Sequence, residues 1–222
     1  MSSFTLVIGN KNYSSWSLRP WLLLKHAAIP FAEIRIPLNT RETRERIAQY
    51  SPSGRVPVLL DGAVRVWESL AICEYLAERF PQACGWPADQ QAQAMARSVA
   101  TEMHAGFAAL RAELPMNCRV RRSGVVPSSA ARADLERVIA IWRTCRETCS
   151  QGGPWLFGVF TIADAMFAPV ALRFHTYGVE LPDMAREYVS TVNENPAIRE
   201  WIQAARDETE IIEEEERGNP VQ

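Results

Sequence analysis

Three short segments of the sequence carry side chains suited to gripping an anion. Gly9-Asn10-Lys11-Asn12-Tyr13-Ser14-Ser15-Trp16 follows an apolar run and precedes a helical stretch, which puts Ser14 and Ser15 at a helix opening. Free backbone N–H groups and the helix dipole favour negative charge there, and a hydroxyl supplies one more donor. Such a place suits a thiolate or a carboxylate. Serine is also a preferred N-cap, so capping alone accounts for either residue. The loop has neither Gly-x-Gly-x-x-Gly nor Gly-Lys-Ser/Thr, which argues against nucleotides.

The second segment, Ser51-Pro52-Ser53-Gly54-Arg55-Val56-Pro57-Val58-Leu59, enters a strand through a Val-Pro bond. A proline at that point leaves neighbouring backbone groups without ladder partners, and a cis bond would mark a turn kept for a reason. In the third, Trp67-Glu68-Ser69-Leu70, Glu68 and Ser69 open another helix, again pairing an anion-favouring terminus with a carboxylate.

The elements that position these segments follow from periodicity. Phe4 to Ile8 reads as a strand, Trp16 to Ala28 as a helix, Phe31 to Ile36 as a strand and Arg41 to Gln49 as a short charged helix. Val58-Leu59-Leu60 and Ala63 to Val66 flank Asp61-Gly62, a hairpin signal because Asp-Gly supplies positive φ angles. Leu70, Ile72, Cys73, Leu76 and Phe80 form a helical stripe. The order βαβαββα predicts a small mixed sheet. Past Pro81–Pro87 strand signals vanish. Ala88 to Leu114 reads as one long helix, Pro127 to Ser150 as a second, Thr161 to His175 as a third, with shorter ones from Pro182 to about Ala205. The fold class is α+β, divided as residues 1–81, a linker 82–88 and an all-helical 89–222.

With 222 residues, or about one and a half domains at roughly 150 residues each, the chain is long enough for either one large fold or two small ones. Hydrophobic residues at 47% support a real core, and a net charge of −2 gives no basic field for nucleic acid or anionic lipid. No apolar run approaches the roughly 18 residues of a membrane span, and no leader is evident at the start, so a cytoplasmic location is expected. The cysteines, Cys73, Cys84, Cys118, Cys145 and Cys149, are odd in number and lack C-x-x-C. Neither a disulfide framework nor a metal site is expected, and Cys145 and Cys149, one helical turn apart, read as free thiols. Thr161 and Asp164 form a Ser/Thr-x-x-acid capping box. His104 either faces a cleft or is a satisfied interior histidine. Glu213 to Glu216 read as a solvated tail.

Together these segments resemble the glutathione transferase family. The resemblance rests on the serine-bearing loop, on Pro-Ser-Gly-Arg-Val-Pro-Val-Leu, on Glu-Ser-Leu-Ala-Ile-Cys-Glu-Tyr-Leu, which is similar to the Glu-Ser-x-Ala-Ile motif, and on Thr161-Ile162-Ala163-Asp164. It covers nearly the whole chain. It implies a thioredoxin-like first domain binding glutathione as co-substrate and a helical domain supplying a hydrophobic cleft for a small-molecule electrophile. Residue by residue, it implies that Val56, before Pro57, pairs main chain to main chain with the cysteinyl part. Glu68 and Ser69 would hold the γ-glutamyl end, and Arg55 or Arg41 the glycyl carboxylate. Ser14 or Ser15 would donate to the sulfur and keep it ionised, with Tyr13 the competitor for that role. A homodimer is the family expectation. The run Ser14-Ser15-Trp16-Ser17-Leu18-Arg19 is similar to the zeta-class pattern, as is Pro115 to Val120, but Trp16 stands where that class has Cys. The implied reaction is conjugation to an electrophile. Rival expectations are zeta-like maleylacetoacetate-type cis-trans isomerisation, a non-catalytic glutathione-binding module, and a structural helical partner.

Overall fold

The computed structural model describes residues 4–221. Four strands, β1 (Phe4–Ile8), β2 (Phe31–Arg35), β3 (Val58–Asp61) and β4 (Val64–Trp67), form one sheet in the order β2-β1-β3-β4. β1 and β2 run parallel, while β3 is antiparallel to both β1 and β4. Helices α1 (Ser15–His26), α2 (Thr43–Ala48) and α3 (Ser69–Arg79) complete the βαβαββα order. The first half thus has the expected mixed sheet.

Side-chain alternation sorts β1 between two apolar clusters. Phe4, Leu6 and Ile8 enter the main core with α1 and α3, while Val7 joins Ile36, Ile47 and Val58 under α2. The hairpin differs in detail. Asp61 pairs with Val64, so the loop residues are Gly62 and Ala63, and the positive φ of 58° falls on Gly62.

In the second half are α4 (Gln90–Ala105), α5 (Ala108–Glu113), α6 (Ser129–Cys149), α7 (Ile162–Tyr177), α8 (Asp183–Glu194) and α9 (Pro196–Arg206). The single long helix expected over Ala88 to Leu114 is two. Phe107 takes a left-handed φ of 60°, which ends α4 and turns its ring into the core as α5 begins. A two-residue ribbon, β5 (Arg122–Ser123) with β6 (Asn219–Pro220), is also present where only helices were expected. Helix α7 is buried almost all round and packs on α1, α4 and α8, joining the two halves through one continuous core. No helix among the described residues is long and apolar enough to cross a membrane. All five cysteines are free.

The Thr161/Asp164 box forms at the start of α7. The Asp164 carboxylate accepts from the Thr161 N–H at 2.8 Å, the Thr161 hydroxyl at 3.1 Å, the Leu156 N–H at 3.0 Å and the Tyr188 hydroxyl at 3.1 Å.

The acidic C-terminal segment is not a solvated tail. Glu208 caps the Lys11 and Asn12 N–H groups at 2.7 and 3.1 Å, and Asn39 donates to Glu214 at 3.1 Å. Glu216 accepts from the Tyr13 hydroxyl, pairs with Arg122, and accepts from Asn117 at 3.1 Å. Residues 208–216 thus form a strap, because Glu208, Glu214 and Glu216 each find a donor on a distant element.

Candidate active site

The three anion-favouring segments converge. Arg55, Val56, Pro57, Glu68 and Ser69 line one cavity of about 380 Å³ together with Trp16, His104 and Arg111. An adjoining cavity of about 410 Å³ is lined by Ser14, Ser15, Leu38, Gly54, Arg173 and Glu215, and shares Trp16, Arg55, Val56 and Arg111 with the first. Arg41 is exposed and lines neither.

The loop after β1 is held from all sides. Asn10 Oδ1 accepts from the Leu38 N–H at 2.7 Å, Asn12 Oδ1 from the Cys118 and Arg119 N–H groups at 2.8 and 2.9 Å, and the Lys11 carbonyl from the Trp201 indole at 2.8 Å. Ser14 is the N-cap of α1, yet its hydroxyl makes no capping bond. It pairs instead with Ser17 Oγ at 2.7 Å, and Ser17 accepts from the Gly9 N–H at 3.1 Å.

Ser15 is placed differently. Its Oγ accepts from Arg173 Nη2 at 3.2 Å. A guanidinium only donates, so the Ser15 proton is left to point elsewhere, and it lies on the first turn of α1 beside the cavity.

The Val56–Pro57 bond is cis. Among the described residues the Val56 main-chain N–H and C=O make no hydrogen bond, which leaves this strand entrance free to pair with an incoming extended chain. Glu68 is the N-cap of α3 and has a φ of 69°, rare for a residue with a Cβ, which sets it and Ser69 on the cavity wall. Arg19 Nη1 donates to Ser69 Oγ at 3.4 Å.

Trp16 is ringed by cations. The Arg19 guanidinium lies 4.0 Å and that of Arg111 5.3 Å from its ring centroid, and His104 meets it edge-on at 5.2 Å. His104 Nε2 sits 3.5 Å from a Glu68 oxygen. Burial, followed by the Arg19 charge, pushes the His104 imidazole below its ordinary range, so it is neutral at pH 7. Burial likewise lowers Arg19 to about 9 and Arg173 to about 10, values at which both stay charged. The second half therefore lines these cavities with His104, Arg111, Arg173 and Glu215, not with the apolar wall expected of it.

Tyr13 does not compete for the donor role. Its hydroxyl accepts from Arg119 Nη2 at 2.7 Å and the Ile212 N–H at 3.3 Å and donates to Glu216, so its proton is committed to the strap. Tyr13→Phe is expected to lower the melting temperature by several degrees, since hydrogen bonds to charged groups contribute about 1.5–3 kcal/mol. Turnover should change by less than about threefold, because no reacting atom loses a contact. Scanning fluorimetry beside a rate assay checks both.

Arg111, Arg173 and Glu215 were not read from the sequence. Arg173 did carry a signal, an arginine inside the otherwise apolar Ala165 to Phe174.

Residues 13–79 match the family model for the glutathione S-transferase N-terminal domain, and residues 89–204 match that for the glutathione S-transferase C-terminal domain. The chain belongs to the glutathione S-transferase family. Within it, the chain is similar to a dichloromethane dehalogenase of Methylorubrum extorquens, 42% identical over 60 residues, which is 26% of this chain and 21% of the dehalogenase. It is also similar to a probable maleylacetoacetate isomerase of Caenorhabditis elegans, 32% identical over 94 residues, which is 42% of each. The chain thus aligns with less than half the length of these curated relatives. Among solved transferase structures, one from Burkholderia with bound glutathione superposes with a TM-score of 0.71 at 24% identity, covering 93% of this chain and all of the other. The Omega 3C transferase of Trametes versicolor gives 0.68 at 17% identity, covering 95% and 91%. These structures share the transferase fold.

Proposed function

We propose that the protein is a glutathione-dependent transferase that attaches the glutathione sulfur to an electrophile. One observation carries the reading: the unpartnered Val56 main chain, the opening of α3 and the opening of α1 meet around two cavities with shared walls. In this reading Val56 pairs with the cysteinyl backbone as an added strand. The Glu68 carboxylate takes the γ-glutamyl ammonium, and the Ser69 hydroxyl with the first N–H groups of α3 takes its α-carboxylate. Arg55 receives the glycyl carboxylate. Ser15 donates to the sulfur, lowers its pKa and aims it into the second cavity. The thiolate then forms a carbon–sulfur bond as the leaving group departs with its electron pair, and the proton lost on ionisation goes to solvent. Solved relatives with bound glutathione, among them that from Burkholderia, lend support.

Calorimetric titration with glutathione tests the site. Binding is expected for the wild type, and Glu68→Gln should weaken it about tenfold, as suits one charge-assisted hydrogen bond at a half-exposed position. Absence of binding by the unaltered protein would overturn the proposal.

The similarity to a probable maleylacetoacetate isomerase favours a second reading, isomerisation with glutathione as a recycled cofactor. Trp16 at the position of the zeta-class cysteine weighs against it. Product analysis separates the two, since isomerisation consumes no thiol, while glutathione binding with no turnover of any substrate identifies a non-catalytic module.

A further inference from the structure

We propose that the electrophile taken by this site carries a carboxylate, received by Arg111 and Arg173 beside Ser15. This rests on the transferase reading above and names the substrate class that reading leaves open.

The cavity beside Ser15 has three arginines on its wall, Arg55, Arg111 and Arg173, against one acidic group, Glu215. Arg173 projects from the most apolar helix of the fold and is 3% exposed. Its only hydrogen bond among the described residues goes to Ser15, and its Nε and Nη1 are buried without a partner. Leaving guanidinium donors unpaired in the interior is costly, and carboxylate oxygens are the strong acceptors that such donors lack here.

Arg111 reaches the same cavity from α5. Its one side-chain hydrogen bond among the described residues is a long one, 3.4 Å to the Met103 carbonyl, and it lies against Trp16. The charges around the pair are Arg19 behind Trp16, Asp134 beside Arg111, and Glu215 of the strap facing Arg173. Acidic groups do not cancel the cations. In the binding scheme above, glutathione places its two carboxylates at α3 and Arg55, so Arg111 and Arg173 are left for the other substrate.

A matched pair of probes tests this: a chloro-dinitrobenzoate and its methyl ester. In both, the thiolate sulfur bonds to the ring carbon and chloride leaves with the electron pair, so only the carboxylate differs. The readout is the ratio of kcat/KM for acid over ester, with KM for glutathione followed in parallel. The wild type should prefer the acid. Arg111→Met and Arg173→Met should each lower the ratio about tenfold or more. Glu215→Gln should raise it, because it removes the competing carboxylate.

An unchanged ratio in Arg111→Met and Glu215→Gln overturns the proposal. So does a rise in glutathione KM with the ratio preserved, which would assign these arginines to the peptide. If neither probe reacts with glutathione, the transferase reading fails instead, and the anion site is judged by calorimetry with the acid alone. Binding that is lost in Arg111→Met keeps the carboxylate site, and absence of binding to the wild type removes it.

Discussion

Ser15→Ala is expected to lower kcat about 10²- to 10³-fold, the loss typical of removing one preorganised donor at a developing or resident anion. The glutathione dissociation constant should stay within about twofold, because the contacts at Val56, Glu68 and Ser69 are untouched. The reason lies in proton direction. Arg173 can only give a hydrogen bond, so Ser15 accepts it and its own O–H is free for the sulfur. Accepting from a cation also polarises that O–H and makes it the stronger donor. Ser14, tied to Ser17 in a chain that ends at the Gly9 N–H, should matter less when cut to alanine. The thiolate's ultraviolet absorbance, followed against pH in the bound state, should titrate at higher pH in Ser15→Ala. A loss confined to glutathione affinity would remove Ser15 from the sulfur.

The largest stability effect is expected at Asp164. Asp164→Ala strands the buried donors of Leu156, Thr161 and Tyr188, each costing about 1–3 kcal/mol when unpaired. A total of about 3–5 kcal/mol places it among the severe substitutions, or roughly 10 °C in melting temperature for a chain of this size. The penalty also depends on pH. Burial lifts the Asp164 carboxyl from 3.8 to about 6, against the pull of its four donors. The folded protein therefore binds this proton more tightly than the unfolded chain does. The stability it contributes is full below 3.8, falls as pH rises to about 6, and is level beyond. The melting gap between wild type and Asp164→Ala should accordingly narrow across that interval in scanning calorimetry. A gap that widens would mean the ionised form is the favoured one.

Local pattern was enough for much of the fold. A short apolar run marked β1, alternation marked β2, Asp61-Gly62 marked the hairpin, and the Leu70 to Leu76 stripe marked α3. All of these depend on neighbours a few positions apart, which a sequence displays directly. The break at Phe107 was hidden because its apolar spacing continues the stripe of α4, and only the packing of α5 on α6 favours a left-handed residue there. The strap was misread for a related reason. Four consecutive glutamates look solvated until Arg122, Asn117 and Tyr13 arrive from far away in the chain. In the candidate site, helix openings and the proline-led strand were legible because their chemistry is written in adjacent residues. Arg111 and Arg173 were not, since Arg173 meets Ser15 through the packing of α7 on α1, and Arg111 reaches the cavity wall from α5, which packs on α6.

The grip of Glu208 on Lys11 spans 197 positions, and that of Glu216 on Tyr13 spans 203. During synthesis the sheet and its helices can emerge and collapse first, but the serine-bearing turn lacks these two clamps until residues 208–216 follow. A chain cut before residue 208 would therefore keep its sheet and cavities beside a loosened serine-bearing turn.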